Sequence, residues 1–229
     1  MNILYIAHFI EGSGWSKAAI NNVYALLSTG ANVICRNIKL TNEQFEIPDE
    51  IVTCLQKEIE DIDVCIQHVL PHHLVATQLF KKNIACYCGE SNTTKPSTWF
   101  NNLKLMDEVW VPCEDNKNNL ETDGIKNVKC IPYAVDMNKY SINHQKINIG
   151  TYGNFKFYTI CDLNDRKNLE SIVRCFHSEF KKYEQVELII KIHSKNTPED
   201  VLKNIVTSKI NTIKESLRIY QNNLKFYYY

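Results

Sequence analysis

The sequence carries no excess of charge of either sign: 26 lysines and arginines balance 26 aspartates and glutamates over 229 residues. That balance argues against a dedicated nucleic-acid binder, which shows a basic excess or stripe, while leaving room for a local basic pocket. No apolar run approaches the roughly 20 residues needed to span a bilayer. The first residues, Met1-Asn2-Ile3-Leu4-Tyr5-Ile6-Ala7, lack a cationic start and soon meet Glu11, so they read as a strand and not as a secretory signal. A disulfide framework is missing too. The nine cysteines are odd in number and lie mostly inside apolar runs such as Ile62-Asp63-Val64-Cys65-Ile66, as reduced thiols acting as small hydrophobes do. These absences lead to the expectation of a cytoplasmic protein with no transmembrane segment. There is no repeat of solenoid length. What is present is 44% hydrophobic and 10% aromatic residues, enough for a substantial core and too much for disorder.

Strands and helices alternate. Ile3–Phe9 reads as a strand, Trp15–Leu27 as a helix stopped by Gly30, and Asn32–Ile38 as a second strand. Polar residues 41–60 predict a loop and a helix. Val64–Gln67, Ile84–Cys88, Glu108–Val111 and Lys129–Pro132 read as further strands, with helices expected over His72–Lys82, up to Met106, and over Glu114–Thr122. Continuous apolar strands alternating with helices predict a doubly wound parallel sheet covered on both faces, an α/β fold. A polar hinge is expected at Asp136–Lys146, followed by a second unit. That unit should hold strands at Ile147–Gly150, Phe157–Cys161, Val186–Ile192 and Leu224–Tyr229. Its helices are expected at Asn168–Tyr183 and from Pro198 to about Tyr220.

Several positions carry chemistry. Gly12-Ser13-Gly14 joins the first strand to the first helix, where glycine permits close backbone approach and free amides favour an anion; a plain tight turn is the alternative. A dinucleotide fingerprint would need glycine at Lys17 and an acidic end to the second strand, which instead holds Arg36 and Lys39, so a nicotinamide site is not expected. His68, His72 and His73 follow a buried strand at the edge where doubly wound folds bind ligands. Their spacing across Pro71 does not suit a metal. Cys86 and Cys88 have no second pair to make a zinc site, and no motif ties a base to Cys113. Arg166 and Lys167, at an expected helix start, form a basic pair that could stabilise an anion; a solvated helix start is the other reading.

The run Trp99-Phe100-Asn101, Met106-Asp107-Glu108-Val109-Trp110-Val111-Pro112-Cys113, Gly124-Ile125 and Ile131-Pro132-Tyr133-Ala134-Val135-Asp136 resembles the end of the N-terminal domain in GT-B glycosyltransferases of the family-4 type. The likeness resumes at Asp165-Arg166-Lys167-Asn168 and spans Met1 to about His193. It implies a GT-B-type fold: a complete Rossmann-like acceptor-side domain over 1–140 and a partial donor-side domain over 141–229. The implied activity is transfer of a sugar, with retention, from a nucleotide-sugar to a glycan, lipid or protein acceptor. No metal or cofactor is implied. Neither is nucleic acid, whereas a lipid acceptor would bring a peripheral membrane contact.

By the same resemblance, His68 would contact the transferred sugar or acceptor. Glu90, ahead of Pro96-Ser97-Thr98-Trp99, would accept from hydroxyls; a plain surface-loop glutamate is the alternative. Gly12, Ser13, Gly14, Arg166 and Lys167 would hold the donor phosphates. The chain departs from the family at Cys113, where serine is usual, and at Asp162, where many relatives carry arginine. The family's Glu-x7-Glu donor signature would fall beyond Tyr229, so the expectation is a C-terminally cut chain with impaired transfer. A non-catalytic carbohydrate- or partner-binding remnant is the competing expectation.

Overall fold

A computed structural model describes residues 1–42, 44–140, 148–149, 152–181, 183–193 and 197–216. The chain divides into two compact units, Met1–Ile142 and Asn143–Tyr229.

The first unit is built on six strands: β1 (Asn2–Ala7), β2 (Asn32–Asn37), β3 (Val64–His68), β4 (Lys82–Cys86), β5 (Glu108–Val111) and β6 (Val128–Cys130). They form one parallel sheet in the order β2-β1-β3-β4-β5-β6. Four helices accompany them: α1 (Gly14–Ser28), α2 (Asp49–Gln56), α3 (Trp99–Lys104) and α4 (Glu114–Asp123). The strands are apolar at successive positions because both faces are covered. Ile3, Tyr5 and Ala7 pack with Ala19 and Val23 of α1, whereas Leu4 joins Ile34 and Cys65 in a separate cluster. Ala85, Val109 and Val111 meet Leu103 and Leu120 of α3 and α4. The result is a mixed α/β, Rossmann-like unit.

The strand order reverses direction between β1 and β3, which are neighbours in the sheet. Ligands of such sheets bind at this switch point, outside the carboxyl ends of the strands. The β1 and β3 ends are in register there, with Ala7 opposite His68.

One expected helix is absent. Between β3 and β4 the chain makes a short 3-10 turn, Pro71–His73, and then runs as a loop to Lys82. Side chains take the backbone groups that a helix would have used. Gln67 Nε2 donates to the Val75 carbonyl at 2.7 Å and its Oε1 accepts from the Val75 amide at 2.9 Å. Asn83 Nδ2 donates to the Thr77 carbonyl at 2.8 Å. Such local competition between polar side chains and the helix ladder decides the conformation.

In the second unit, β7 (Phe155–Asp162) and β8 (Val186–His193) form a parallel pair. Leu188 and Ile190 pack with Leu169, Val173 and Phe176 of α5 (Leu169–Glu179) and with Val206 and Ile210 of α6 (Glu199–Ser216). The strand expected over 224–229 lies outside the described residues, as do most of the hinge and much of the strand expected over 147–150.

Candidate functional site

At the carboxyl edge of the first unit's sheet, segments that follow three strands and the start of α1 enclose a pocket of about 480 Å³. Helix α1 contributes Gly14, Trp15 and Ala18; the turn after β3 contributes Leu70 and Pro71; the loop after β4 contributes Cys88 and Glu90. Trp99 opens α3 and Tyr133 follows β6. Among the described lining residues only Glu90 is charged. Three aromatic rings and one carboxylate, without a cation, make a poor seat for phosphate. They suit a neutral polyol, whose apolar faces lie on indole and phenol rings while a hydroxyl donates to the carboxylate.

The loop that carries Glu90 is held by α4. Asn116 brackets Gly89, accepting from its amide at 3.2 Å and donating to its carbonyl at 2.9 Å. Asp123 accepts from the Thr94 amide at 2.5 Å and from the Thr93 and Thr94 hydroxyls at 2.8 Å. Gly89 is required by space, since a Cβ there would sit 2.5 Å from the Tyr87 hydroxyl. The opposite wall is held in the same manner, by Asn102 donating to the Pro71 carbonyl at 2.8 Å.

His68 lies one layer behind the pocket, 1% exposed. Its ring stacks on Tyr133 at 5.5 Å and sits 5.3 Å from Trp15, so it backs two of the lining rings. A hydrogen-bond chain reaches its ring. The Ala134 amide donates to Asn22 Oδ1 at 3.0 Å, which turns Asn22 Nδ2 toward the Tyr5 hydroxyl at 3.2 Å. The Tyr5 oxygen accepts there and is also hydrogen-bonded to His68 Nδ1 at 3.0 Å. The nearby Cys86 thiol is pushed up to about 12 by burial and stays protonated. His68 Nε2 has no partner among the described residues. Burial, and then the neighbouring His8, push its pKa down to about 4, so it is neutral at pH 7.

His8 is a feature that reading the sequence missed. It follows β1 directly, is fully buried, and donates from Nδ1 to the Ile38 carbonyl at 2.6 Å. Its ring stands edge-on to Trp15 at 6.5 Å and to His73 at 6.4 Å. Its position immediately after the first strand of a doubly wound sheet was the available signal.

The first loop is arranged differently from a phosphate cradle. Gly12 has φ +61°, and a Cβ there would lie 2.6 Å from the Phe45 ring, so the glycine makes room for that ring. The Ser13 side chain caps α1 by accepting from the Ser16 amide at 3.2 Å, and the Ser16 hydroxyl accepts from the Ser13 amide at 3.4 Å. Gly14 alone of the three lines the pocket. Arg36 is also engaged: its guanidinium donates to the carbonyls of Cys35, Leu55 and Lys57 and closes the end of α2.

Arg166 and Lys167 belong to the second unit. They lie in a 3-10 turn, Asp165–Lys167, and not in the first turn of α5. The Asn164 side chain accepts from the Lys167 amide at 3.2 Å, and Asn168, in the left-handed region at φ 49°, separates the turn from the helix. Cys113 is exposed at the N-cap of α4. Among the described residues no group of histidines, cysteines and carboxylates is arranged to hold a metal, and no helix is long and apolar enough to cross a membrane.

No protein-family model matches the chain, and no curated protein matches it. Among solved structures it is similar to the Glycosylation Associate Protein (Gap123) complex from Streptococcus agalactiae, at 12% identity and a TM-score of 0.38. That likeness covers 79% of this chain and 36% of the other.

Proposed function

We propose that the first unit is the acceptor-side domain of a GT-B-type, family-4-like glycosyltransferase and that its pocket seats the acceptor. The observation that carries this reading is the aromatic pocket with a single carboxylate, Glu90, at the switch-point edge of a doubly wound parallel sheet. In the proposed reaction the acceptor hydroxyl oxygen forms a bond to the anomeric carbon of a nucleotide-sugar. The bond from that carbon to the diphosphate oxygen breaks, the hydroxyl's proton passes to that departing diphosphate oxygen, the nucleoside diphosphate leaves, and configuration is retained. Glu90 accepts a hydrogen bond from the acceptor and orients it. His68 acts from behind, holding Tyr133 and Trp15 in place.

Arg166 and Lys167 supply positive charge to the donor phosphates, as the resemblance implies. Of the first loop, the Gly14 backbone at the start of α1 is the part that reaches the pocket, with Gly12 and Ser13 shaping the turn behind it. No metal is assigned a role.

A second reading has its own support: the pocket is complete within the first unit, so binding of a carbohydrate does not require transfer. Incubation with a panel of UDP- and GDP-sugars and glycoside acceptors separates the two. Release of nucleoside diphosphate coupled to acceptor glycosylation is the outcome expected of a transferase. Acceptor binding without release would assign the chain to the binding class.

A further inference from the structure

We propose that the groove continues past Tyr133 into a second, apolar pocket, and that the two together take one amphipathic ligand. A hydroxylated head occupies the Glu90 pocket, and a single alkyl or prenyl chain occupies the other. This rests on the acceptor reading above and names the acceptor class.

The second pocket encloses about 140 Å³, and Tyr133 lines both pockets. Helix α1 walls both in sequence: Gly14, Trp15 and Ala18 at the first, then Asn22, Ala25 and Leu26 at the second. These positions recur at helical spacing and so form one stripe, about 18 Å long at 1.5 Å per residue. The facing wall is apolar, made by Trp110, Ile131 and Pro132.

The Tyr5 and Asn22 side chains of the second pocket already make hydrogen bonds within the protein. The Tyr5 hydroxyl and the Asn22 amide bond to each other, to His68 and to Ala134. A hydrocarbon chain needs no hydrogen-bond partner there, and most of the lining is apolar. A carbon of such a chain takes about the ~30 Å³ of a water molecule, so 140 Å³ holds about four or five of them.

The test uses methyl through octyl β-D-glucopyranosides, each below its micellar concentration, titrated into the full chain carrying ¹⁵N-labelled indoles. The three tryptophans report separately, with Trp15 and Trp99 at the head pocket and Trp110 at the tail pocket. Methyl glucoside should shift Trp15 and Trp99 but not Trp110. Longer chains should shift Trp110 and tighten binding about fourfold per methylene, as burial of a CH₂ predicts, reaching a plateau near five carbons. Ala25→Phe, on the exposed face of α1, should remove the chain-length dependence and leave methyl glucoside binding unchanged. Leu26→Ala, which widens the pocket, should move the plateau to longer chains and guards against a misfolded Ala25→Phe.

Equal affinity for methyl and pentyl glucosides would overturn the proposal, as would a rise that continues through octyl without a plateau or a chain-length dependence that survives in Ala25→Phe. Glu90→Gln separates the two readings. If it leaves every affinity unchanged while the Trp110 plateau persists, the acceptor assignment falls and the apolar subsite stands.

Discussion

Asn116 grips Gly89 by both backbone groups, at 3.2 and 2.9 Å, and so fixes the residue immediately before the pocket's carboxylate. The contact joins α4 to the loop after β4, two parts of the chain separated by 27 positions. Asn116→Ala leaves a part-buried amide and carbonyl without partners, which costs about 1–3 kcal/mol. Chemical denaturation should show a loss in that range. Acceptor binding should weaken further at temperatures where the variant is fully folded, because Glu90 is no longer held. A variant as stable as the wild type, with unchanged binding, would show that the loop holds its shape without Asn116.

Glu90 is exposed and, among the described residues, makes no side-chain hydrogen bond within the protein. Its removal should therefore leave stability untouched. Glu90→Gln keeps the shape and an acceptor oxygen but removes the charge, turning a charge-assisted contact into a neutral one at a cost of about 1–1.5 kcal/mol, about tenfold in affinity for a hydroxylated ligand. Isothermal titration with a glycoside that binds the wild type measures this. Retained affinity would return Glu90 to an ordinary surface glutamate.

The sheet was legible in the sequence because burial on both faces makes its strands continuous apolar runs, as in Ile3-Leu4-Tyr5-Ile6. The helix expected after β3 was not realised. Leu74, Val75, Leu79 and Phe80 mimic helical spacing, but Gln67 and Asn83 capture the backbone, and Val75 and Leu79 end up exposed. At the site, Glu90 and Gly14 were legible as edge residues, and the structure brings them into one pocket. The aromatic lining was not. Trp15, Trp99 and Tyr133 lie far apart in the chain, and only the parallel strand order brings them to one edge of the sheet. His68 was visible as a strand-end histidine, but its place behind the wall depends on Tyr5 and Asn22, whose polar groups carry no pattern of their own.

His68 gives a pH signature. Its folded-state pKa, held near 4 by burial and by His8, lies below the ordinary 6.5. Between those values the unfolded chain binds more protons than the folded one, so stability rises with pH. The contribution is fully present above about 6.5 and is lost as pH falls toward 4, on the order of 3 kcal/mol. Urea unfolding at pH 7, 6, 5 and 4.5 should show this decline. His68→Gln can still bond to Tyr5 but does not titrate, and should flatten the curve over that window. Parallel curves for the two proteins would place the pH dependence elsewhere, with His73 and His177 next to be tested, since burial lowers both.

Arg166 and Lys167 are the remaining proposed contacts, and the turn that carries them makes a clean experiment. Its shape rests on the Asn164 side chain and the left-handed Asn168, neither of which uses the cationic side chains. Arg166→Ala and Lys167→Ala should therefore unfold at the same denaturant concentration as the wild type. Each should lose one charge-assisted contact to a diphosphate, about 1.5–3 kcal/mol, and weaken UDP or GDP binding about tenfold or more. The loss should shrink as salt is raised, because exposed charges are screened over about 10 Å at 0.1 M. Titrations in low and high salt check both points. If UDP and GDP bind wild type and both variants alike, the turn is a solvated connection between β7 and α5, and the donor phosphates must be held by other residues.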